Sequence, residues 1–165
     1  MPRLHAFELL PDEAGRDAVL RDWQALSDAG LPSQLDHKGM TNTPHVTVLT
    51  AATLGDEHDG HAVACLQAVM PVEARASGLA LLGGSRVSVV RLLDVPDELT
   101  AAVLRLRAQV PNIQHPGWLP HVTLARRVPR SEVPTALRVL GHDDMTLRMT
   151  TLRRWDPEAG TVRTL

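Results

Sequence analysis

Two kinds of hydrophobic spacing follow one another along this chain, and their order is repeated. Short apolar or alternating runs predict strands, whereas apolar residues three or four positions apart predict amphipathic helices. The first half predicts strand, helix, strand, helix, strand over Leu4–Leu10, Asp12–Ala29, Pro44–Thr50, Glu57–Met70 and Val72–Leu82. The second half predicts the same order over Arg86–Leu93, Pro96–Val110, Pro120–Arg127, Ser131–Gly141 and Met145–Arg153, with a short edge at Thr161–Leu165. The chain therefore reads as a duplicated β-α-β-α-β unit.

Polar and conformationally special residues mark the ends of these elements. Asp12 and Ser131 are the expected N-caps of the first and last helices, and Gly30 and Gly141 are the expected stops. Gly83-Gly84 predicts the turn at which one repeat passes into the next. These signals place the repeat boundary near the middle of the chain.

The duplication predicts an α+β fold with pseudo-twofold symmetry. We expect one domain over residues 1–165, with two lobes of roughly 1–83 and 84–165. Two central antiparallel sheets would form a groove between the lobes, and the helices would pack on the outer faces. A chain of this length buries about 70% of its unfolded surface, which is enough for a substantial core.

Composition narrows the environment of the protein. The single cysteine, Cys65, excludes an internal disulfide and fits a reducing compartment. The N-terminus does not have the charge and apolar pattern of a signal peptide, and no apolar run is long enough to span a bilayer. We therefore expect a cytoplasmic, monomeric protein that does not associate with a membrane.

Charge limits the kind of partner. The net charge of −2 argues against a long nucleic acid held mainly by phosphate contacts. The positive charge is concentrated at the end, since residues 121–165 carry eight Lys or Arg against five Asp or Glu. This distribution suits a ligand with one or two phosphates.

One tetrapeptide occurs in both repeats. Pro44-His45-Val46-Thr47 precedes Val48, and Pro120-His121-Val122-Thr123 precedes Leu124, with the two histidines 76 positions apart. Side chains alternate between the faces of a strand, so each copy can bury its apolar pair and offer an imidazole and a hydroxyl on the other face. A single copy is weak evidence, but two identical copies in equivalent strands predict a shared site.

These motifs resemble those of the two-histidine phosphoesterase superfamily, which includes bacterial 2′-5′ RNA ligase-like proteins and cyclic nucleotide phosphodiesterases. That superfamily carries one His-x-[Ser/Thr]-apolar motif in each half of a duplicated domain, as do His45–Val48 and His121–Leu124 here. The segment Trp118–Arg126 is also similar to the context of the second motif. The resemblance implies a phosphoesterase that acts on cyclic phosphates or 2′-5′ linkages of nucleotides or RNA ends, with ligation as the reverse reaction.

The motif residues suit that chemistry on physical grounds. Opening a cyclic phosphodiester takes a base for the attacking water and an acid for the leaving oxygen, and histidine can do both near neutral pH. His45 and His121 are the predicted pair, in either order of roles. Thr47 and Thr123 would donate to the non-bridging oxygens, where charge accumulates in the transition state. The scheme requires no metal or other cofactor.

Four further residues are candidates for substrate binding. Arg127 shares the face of His121 if the strand stays regular, whereas Arg126 matches a position that is often basic in the family, so either could hold phosphate. Lys38 lies in the loop before the first motif, where it could close over a substrate or stay exposed. Trp118 could stack on a base or pack in the core. The expected partner is a small nucleotide or an RNA terminus.

The same residues are compatible with two other functions. The chain could be a nucleotide- or RNA-end-binding module that keeps the groove without catalysis. The two motif histidines could instead hold a metal, although no carboxylate stands at a fixed spacing from them. The segment Asp56–His61 contains His-x-x-His and carboxylates, but a polar helix start is the better interpretation.

Overall fold

The computed structural model describes residues 3–165 as alternating strands and helices. The seven strands are β1 (His5–Pro11), β2 (Val46–Ala51), β3 (Val72–Gly83), β4 (Arg86–Asp94), β5 (His121–Pro129), β6 (Met145–Asp156) and β7 (Thr161–Thr164). The four α-helices are α1 (Glu13–Asp28), α2 (Asp56–Leu66), α3 (Asp97–Gln109) and α4 (Val133–Leu140). The α+β class predicted from the sequence is confirmed.

Six strands join into a closed ring of antiparallel ladders. Their order is β1, β2, β5, β4, β3 and β6, and β6 also pairs with β1. The long strands β3 and β6 pair with each other through their first halves, and their second halves pair with β4 and β1 respectively. Two central sheets were expected from the sequence, but the strand groups β2-β1-β6 and β5-β4-β3 are joined into one sheet, and β7 adds a short edge to β6.

The pairing scheme reproduces the duplication seen in the sequence. If β1, β2 and β3 are equated with β4, β5 and β6, the ladder β1–β2 maps onto β4–β5, and β1–β6 maps onto β4–β3. The ladders β2–β5 and β3–β6 map onto themselves. An approximate twofold axis therefore passes between the two motif strands, β2 and β5.

The helices cover the apolar side of the sheet. α1 packs against α4 and α2 against α3, so the helix pairs also obey the twofold relation. Asp12 caps α1 as predicted, since its Oδ1 accepts a hydrogen bond from the Gly15 N–H at 2.9 Å. The predicted apolar stripes are buried, for example Val19, Trp23 and Leu26 on α1. None of the helices within residues 3–165 is long and apolar enough to cross a membrane.

Two predicted helix boundaries differ from the structure. Ser131 was expected to cap the last helix, but it lies inside a 3-10 turn, and α4 begins at Val133. Pro134 lies in the first turn of α4, where its fixed φ and missing N–H are tolerated. The second helix ends at Leu66 instead of Met70, and a 3-10 turn leads to Pro71.

Candidate active site

A single pairing between the motif strands generates the site. Val46 of β2 lies opposite Val122 of β5 in an antiparallel register. One step along, this register sets His45 across from Thr123 and Thr47 across from His121. The two valines are buried, with exposed fractions of 2% and 1%, whereas the four polar side chains are half-buried on the other face.

The register also sets the spacing of the two imidazoles. On one face of an antiparallel pair, diagonal neighbours have backbone positions roughly 7–8 Å apart. His45 and His121 stand in this diagonal relation across the approximate twofold axis. A tetrahedral phosphate fits between two side chains at that separation, with a threonine hydroxyl beside each one.

The two histidine rings are oriented by equivalent hydrogen bonds. The Nδ1 of His45 lies 2.8 Å from the Thr43 carbonyl oxygen, and the Nδ1 of His121 lies 2.6 Å from the Leu119 carbonyl oxygen. A carbonyl oxygen only accepts, so each Nδ1 carries the proton and donates. Each Nε2 is therefore the nitrogen left for chemistry.

The neighbours of the two rings are different. The Nε2 of His45 lies 3.5 Å from Oε1 of Glu8 on β1, a carboxylate whose residue is only 6% exposed. The other oxygen of Glu8 accepts a hydrogen bond at 2.6 Å from Nε of Arg153 on β6. Arg153 also donates to the Thr41 carbonyl at 3.1 Å. His45 thus faces a buried carboxylate that is itself hydrogen-bonded to an arginine.

His121 lies in a more apolar and cationic environment. Burial lowers the pKa of His121 below its usual value, and the positive charges of His45 and Arg126 lower that pKa further. The hydrogen bond to the Leu119 carbonyl acts in the opposite direction without reversing the shift. The neutral form of His121 is therefore favoured near neutral pH.

Sheet register shows how the second repeat differs at this point. Glu8 lies opposite Thr47, and its counterpart opposite Thr123 is Val90. Arg153 lies opposite Glu8, and its counterpart opposite Val90 is Ala80. The ion pair beside His45 is thus replaced by two apolar residues beside His121. Sequence reasoning missed Glu8 and Arg153, although a charged residue inside the apolar run Ala6–Leu10 was an available signal.

Arg126 and Arg127 lie in an irregular stretch of β5. Val87 pairs with Val128 and Val89 with Ala125, so both arginines stand opposite Ser88 in a bulge. Arg127 has a left-handed φ of 57°. The assumption of a regular strand therefore fails here, and both side chains line the same groove. Within residues 3–165, neither guanidinium has a carboxylate within ion-pair distance.

Two cavities meet at Thr47. The larger is a groove of about 1140 Å³ on the side of His45, lined by polar and charged residues that include Arg126 and Arg127. The smaller has about 440 Å³ on the side of His121, lined mainly by apolar residues. Thr47 and Thr50 of β2 line both, so the two cavities adjoin along β2, with His45 at the larger one and His121 at the smaller one.

The smaller cavity combines an apolar wall with one buried arginine. The smaller cavity is bounded by Leu82, Trp118 and Leu119, with the buried Arg107 at its wall. The guanidinium of Arg107 bonds the Val48 carbonyl at 2.8 Å and the Gly117 carbonyl at 2.9 Å, and it also bonds the carbonyl of His115. Arg107 therefore fixes the loop before β5 to β2, and burial lowers the pKa of this arginine.

Tryptophans anchor the two motif strands in an equivalent way. Trp118 donates its indole N–H to the Thr47 carbonyl at 3.0 Å, and Trp23 of α1 donates to the Thr123 carbonyl at 3.1 Å. Trp118 is half-buried and packs against the core while one side of it lines the smaller cavity. Both interpretations made from the sequence are compatible with this position.

Lys38 lies outside the groove wall. Its side chain is exposed, and Nζ lies 3.4 Å from the Leu35 carbonyl oxygen. The flanking residues His37 and Gly39 do line the larger groove. The loop before β2 therefore reaches the groove, and closure of Lys38 over a ligand would require the loop to move.

Among residues 3–165, one group of side chains has donor atoms close enough to hold a metal ion. It consists of His5, Asp156 and Glu158, away from the motif histidines. In the segment Asp56–His61, the ring of His58 accepts a hydrogen bond from the Gly55 N–H at 2.9 Å. That segment is the start of α2, as the sequence suggested.

Comparison with known proteins gives the family. The sequence profile of the 2′-5′ RNA ligase superfamily matches residues 11–162, which is nearly the whole chain. A search of curated proteins found no significant match. The sequence evidence for the family therefore comes from the profile and the two motifs.

Solved structures match the fold over the full length. E. coli LigT in complex with 3′-AMP is 13% identical with a TM-score of 0.56, covering 99% of this chain and 94% of LigT. TT0787 of Thermus thermophilus is 17% identical with a TM-score of 0.57, covering 99% of this chain and 95% of its own. The MHV ns2 PDE domain is 10% identical with a TM-score of 0.55, covering 98% of each chain.

These identities establish a shared fold, while the profile covers both repeats and both His-x-Thr-apolar motifs. The resemblance inferred from the motifs is confirmed. The chain belongs to the 2′-5′ RNA ligase superfamily.

Proposed function

We propose that the protein is a metal-independent phosphoesterase that opens 2′,3′-cyclic phosphates or cleaves 2′-5′ linkages of nucleotides or RNA ends. One observation carries the proposal. The Val46–Val122 pairing puts two imidazoles and two threonines on one face, and in each ring Nδ1 is bonded to a backbone carbonyl while Nε2 is not. The names of the fold relatives, which include a phosphodiesterase domain and complexes with 3′-AMP and ATP, support the same class of substrate.

The roles of the two histidines follow from their surroundings. His121 favours its neutral form, so its Nε2 accepts a proton from the attacking water. The Nε2 of His45 lies 3.5 Å from the Glu8 carboxylate, and we assign to this histidine the role of the acid that protonates the leaving oxygen. The bond from water to phosphorus forms on the side of His121, and the bond to the leaving ribose oxygen breaks on the side of His45. The products are a phosphomonoester and a free hydroxyl.

The threonines and arginines act on the phosphate itself. The hydroxyls of Thr47 and Thr123 donate to the two non-bridging oxygens, whose charge increases in the transition state. Arg126 and Arg127 have no carboxylate partner among residues 3–165 and are available to phosphate oxygens on the side of the larger groove. After turnover His121 holds the proton and His45 has lost it, and exchange with solvent resets both.

The two cavities suit the two ends of a nucleotide. A base would occupy the smaller, apolar cavity beside Trp118, where stacking on the indole stabilises it. The sugar and any second phosphate would extend into the larger groove towards Arg126 and Arg127. Ligation, in which a 5′-hydroxyl takes the place of water and attacks a cyclic phosphate, would use the same groups in the same roles: the hydroxyl loses its proton to His121, and the departing ribose oxygen takes one from His45.

A substrate panel tests the proposal. Purified protein is given 2′,3′-cyclic nucleotides and 2′-5′ dinucleotides in excess chelator, beside the variants His45→Ala and His121→Ala. We expect turnover by the wild type and its loss in both variants. Turnover that requires metal, or that survives either substitution, would contradict the mechanism. Binding of nucleotides without turnover by the wild type would instead indicate a non-catalytic binding module.

A further inference from the structure

A second cluster of ionisable side chains lies away from the groove, and we call it the His5 cluster: His5, Asp156 and Glu158. Its donor atoms all lie within 4.8 Å of one another. Extension of the β1–β6 register by one step sets His5 directly across from Asp156. Neighbouring residues show which face this is. Ala6 and Trp155, one position away on each strand, line the groove, so His5 and Asp156 point to its opposite side.

The imidazole of His5 has a nitrogen without a partner. The His5 side chain is 6% exposed. Its buried Nδ1 has no hydrogen-bond partner among the described residues. The nearest carboxylate oxygen, Oδ1 of Asp156, lies 4.0 Å from it, which is too long for a hydrogen bond. A buried nitrogen left in this state is unfavourable, and an electrophile between the two side chains would satisfy it.

The carboxylate of Asp156 is fixed by two backbone hydrogen bonds. Its Oδ1 accepts hydrogen bonds from the backbone N–H groups of Glu158 at 2.9 Å and Ala159 at 3.2 Å. These two bonds hold the carboxylate at the end of β6. The neighbouring Arg154 is bound by another carboxylate, that of Asp59, with Nη1 3.1 Å from Oδ2.

We propose that the His5 cluster binds one divalent transition-metal ion of the Zn²⁺ type. One imidazole nitrogen and two carboxylates form a donor set that such ions accept, and water can complete the shell because Glu158 is exposed. Two donors of one tetrahedral Zn²⁺ lie roughly 3.4 Å apart, so a side-chain movement of less than about 1 Å closes the present 4.0 Å gap. The ion would join the start of β1 to the β6–β7 hairpin.

Metal titration of untagged, chelator-stripped protein tests the site. Calorimetry should give one Zn²⁺ per chain, and Tm should rise by roughly 5–10 °C at a metal concentration a hundred times Kd. Co²⁺ should give visible absorption bands that Zn²⁺ removes. Asp156→Asn keeps the carbonyl that accepts the two backbone bonds, and Glu158→Gln changes an exposed residue, so both variants should fold. Each should weaken binding by more than about tenfold, because loss of a direct ligand lowers metal affinity more than loss of a residue that only hydrogen-bonds to a ligand.

His61→Ala is the matched control. His61 and Glu57 form another pair of imidazole and carboxylate on this chain, 3.7 Å apart on α2. The control should bind Zn²⁺ as the wild type does. Absence of saturable one-to-one binding would overturn the proposal. So would binding that is unchanged in Asp156→Asn and Glu158→Gln, or that is lost in His61→Ala.

Discussion

The two repeats of this protein present the same pair of histidine and threonine with different neighbours. Each repeat places a histidine and a threonine on a strand beside the twofold axis, and each histidine donates Nδ1–H to the carbonyl two residues before it. In the first repeat the neighbouring positions hold Glu8 and Arg153, and in the second they hold Val90 and Ala80. The backbone therefore makes the two histidines equivalent, and the neighbouring strands distinguish them.

In the mechanism that we propose, this difference lets a symmetric fold catalyse an asymmetric reaction. In-line displacement needs one proton acceptor and one proton donor on opposite sides of phosphorus. The Glu8 carboxylate beside His45, and the burial that lowers the pKa of His121, make the two imidazoles different before the substrate binds.

The largest effect is expected from removal of either imidazole. His45→Ala and His121→Ala should each lower kcat for a 2′,3′-cyclic nucleotide by about 10²–10⁴-fold, the usual contribution of general acid–base catalysis. The double variant should be little worse than either single one, because the two groups act in one step. Steady-state kinetics measures this, and circular dichroism checks that the fold is kept. Full activity in either variant would remove that residue from the mechanism.

The next effect comes from making the first repeat like the second. Glu8→Val with Arg153→Ala copies the pair Val90 and Ala80 and should lower kcat by about tenfold, since one lost charged hydrogen bond corresponds to that factor. KM should change little.

Unfolding measurements distinguish a direct loss of kcat from a loss of folded protein. Glu8→Val alone leaves Arg153 buried without its partner and should cost about 3–5 kcal/mol, whereas the double variant should recover most of that loss. Thermal unfolding of the single and double variants measures it. A double variant with normal kcat would show that the ion pair supports the fold alone.

A smaller effect is expected from the arginines of the bulge. Arg126→Ala and Arg127→Ala should each raise KM by about tenfold, the equivalent of one charge-assisted hydrogen bond to phosphate. Arg127→Gly also removes the left-handed strain at this position and should raise stability by about 1 kcal/mol. Lys38→Ala is the matched control, and its KM should stay at the wild-type value because the side chain is outside the groove. An equal rise in KM in all three variants would indicate that these side chains attract the phosphate at long range and do not contact it.

The smallest effect concerns pH. The pKa of His121 is lowered, so its neutral form persists below pH 6.5, and the acidic limb of kcat/KM should lie below that value. Arg126→Gln removes one of the positive charges that lower this pKa, so the limb should move slightly to higher pH. A pH–rate profile of the two proteins checks the direction. Movement of the limb to lower pH would contradict the electrostatic account.

The sequence predicted the parts of the structure that repeat along the chain. Period-two and period-3.6 patterns identified the order of strands and helices, and the repeated tetrapeptide placed His45, Thr47, His121 and Thr123 on one strand face. Alternation failed at Arg126 and Arg127, because a bulge is a property of two paired strands and has no signature in one.

Long-range partners could not be predicted in the same way. Glu8 and Arg153 are separated by 145 positions, and they meet only because β6 of the second repeat pairs with β1 of the first. No local pattern encodes that crossover. Hydrophobic spacing thus predicts the helices and strands and which face of each is buried, whereas the polar contacts between distant strands depend on the topology.

The most direct test of the assignment of acid and base compares two leaving groups. A ribose oxygen needs a proton as it leaves, whereas p-nitrophenolate does not. On a nucleoside p-nitrophenyl phosphate, His45→Ala should recover most of the rate that it loses on a 2′,3′-cyclic nucleotide, and His121→Ala should stay impaired on both substrates. Equal losses in the two variants, or recovery by His121→Ala instead, would contradict the account.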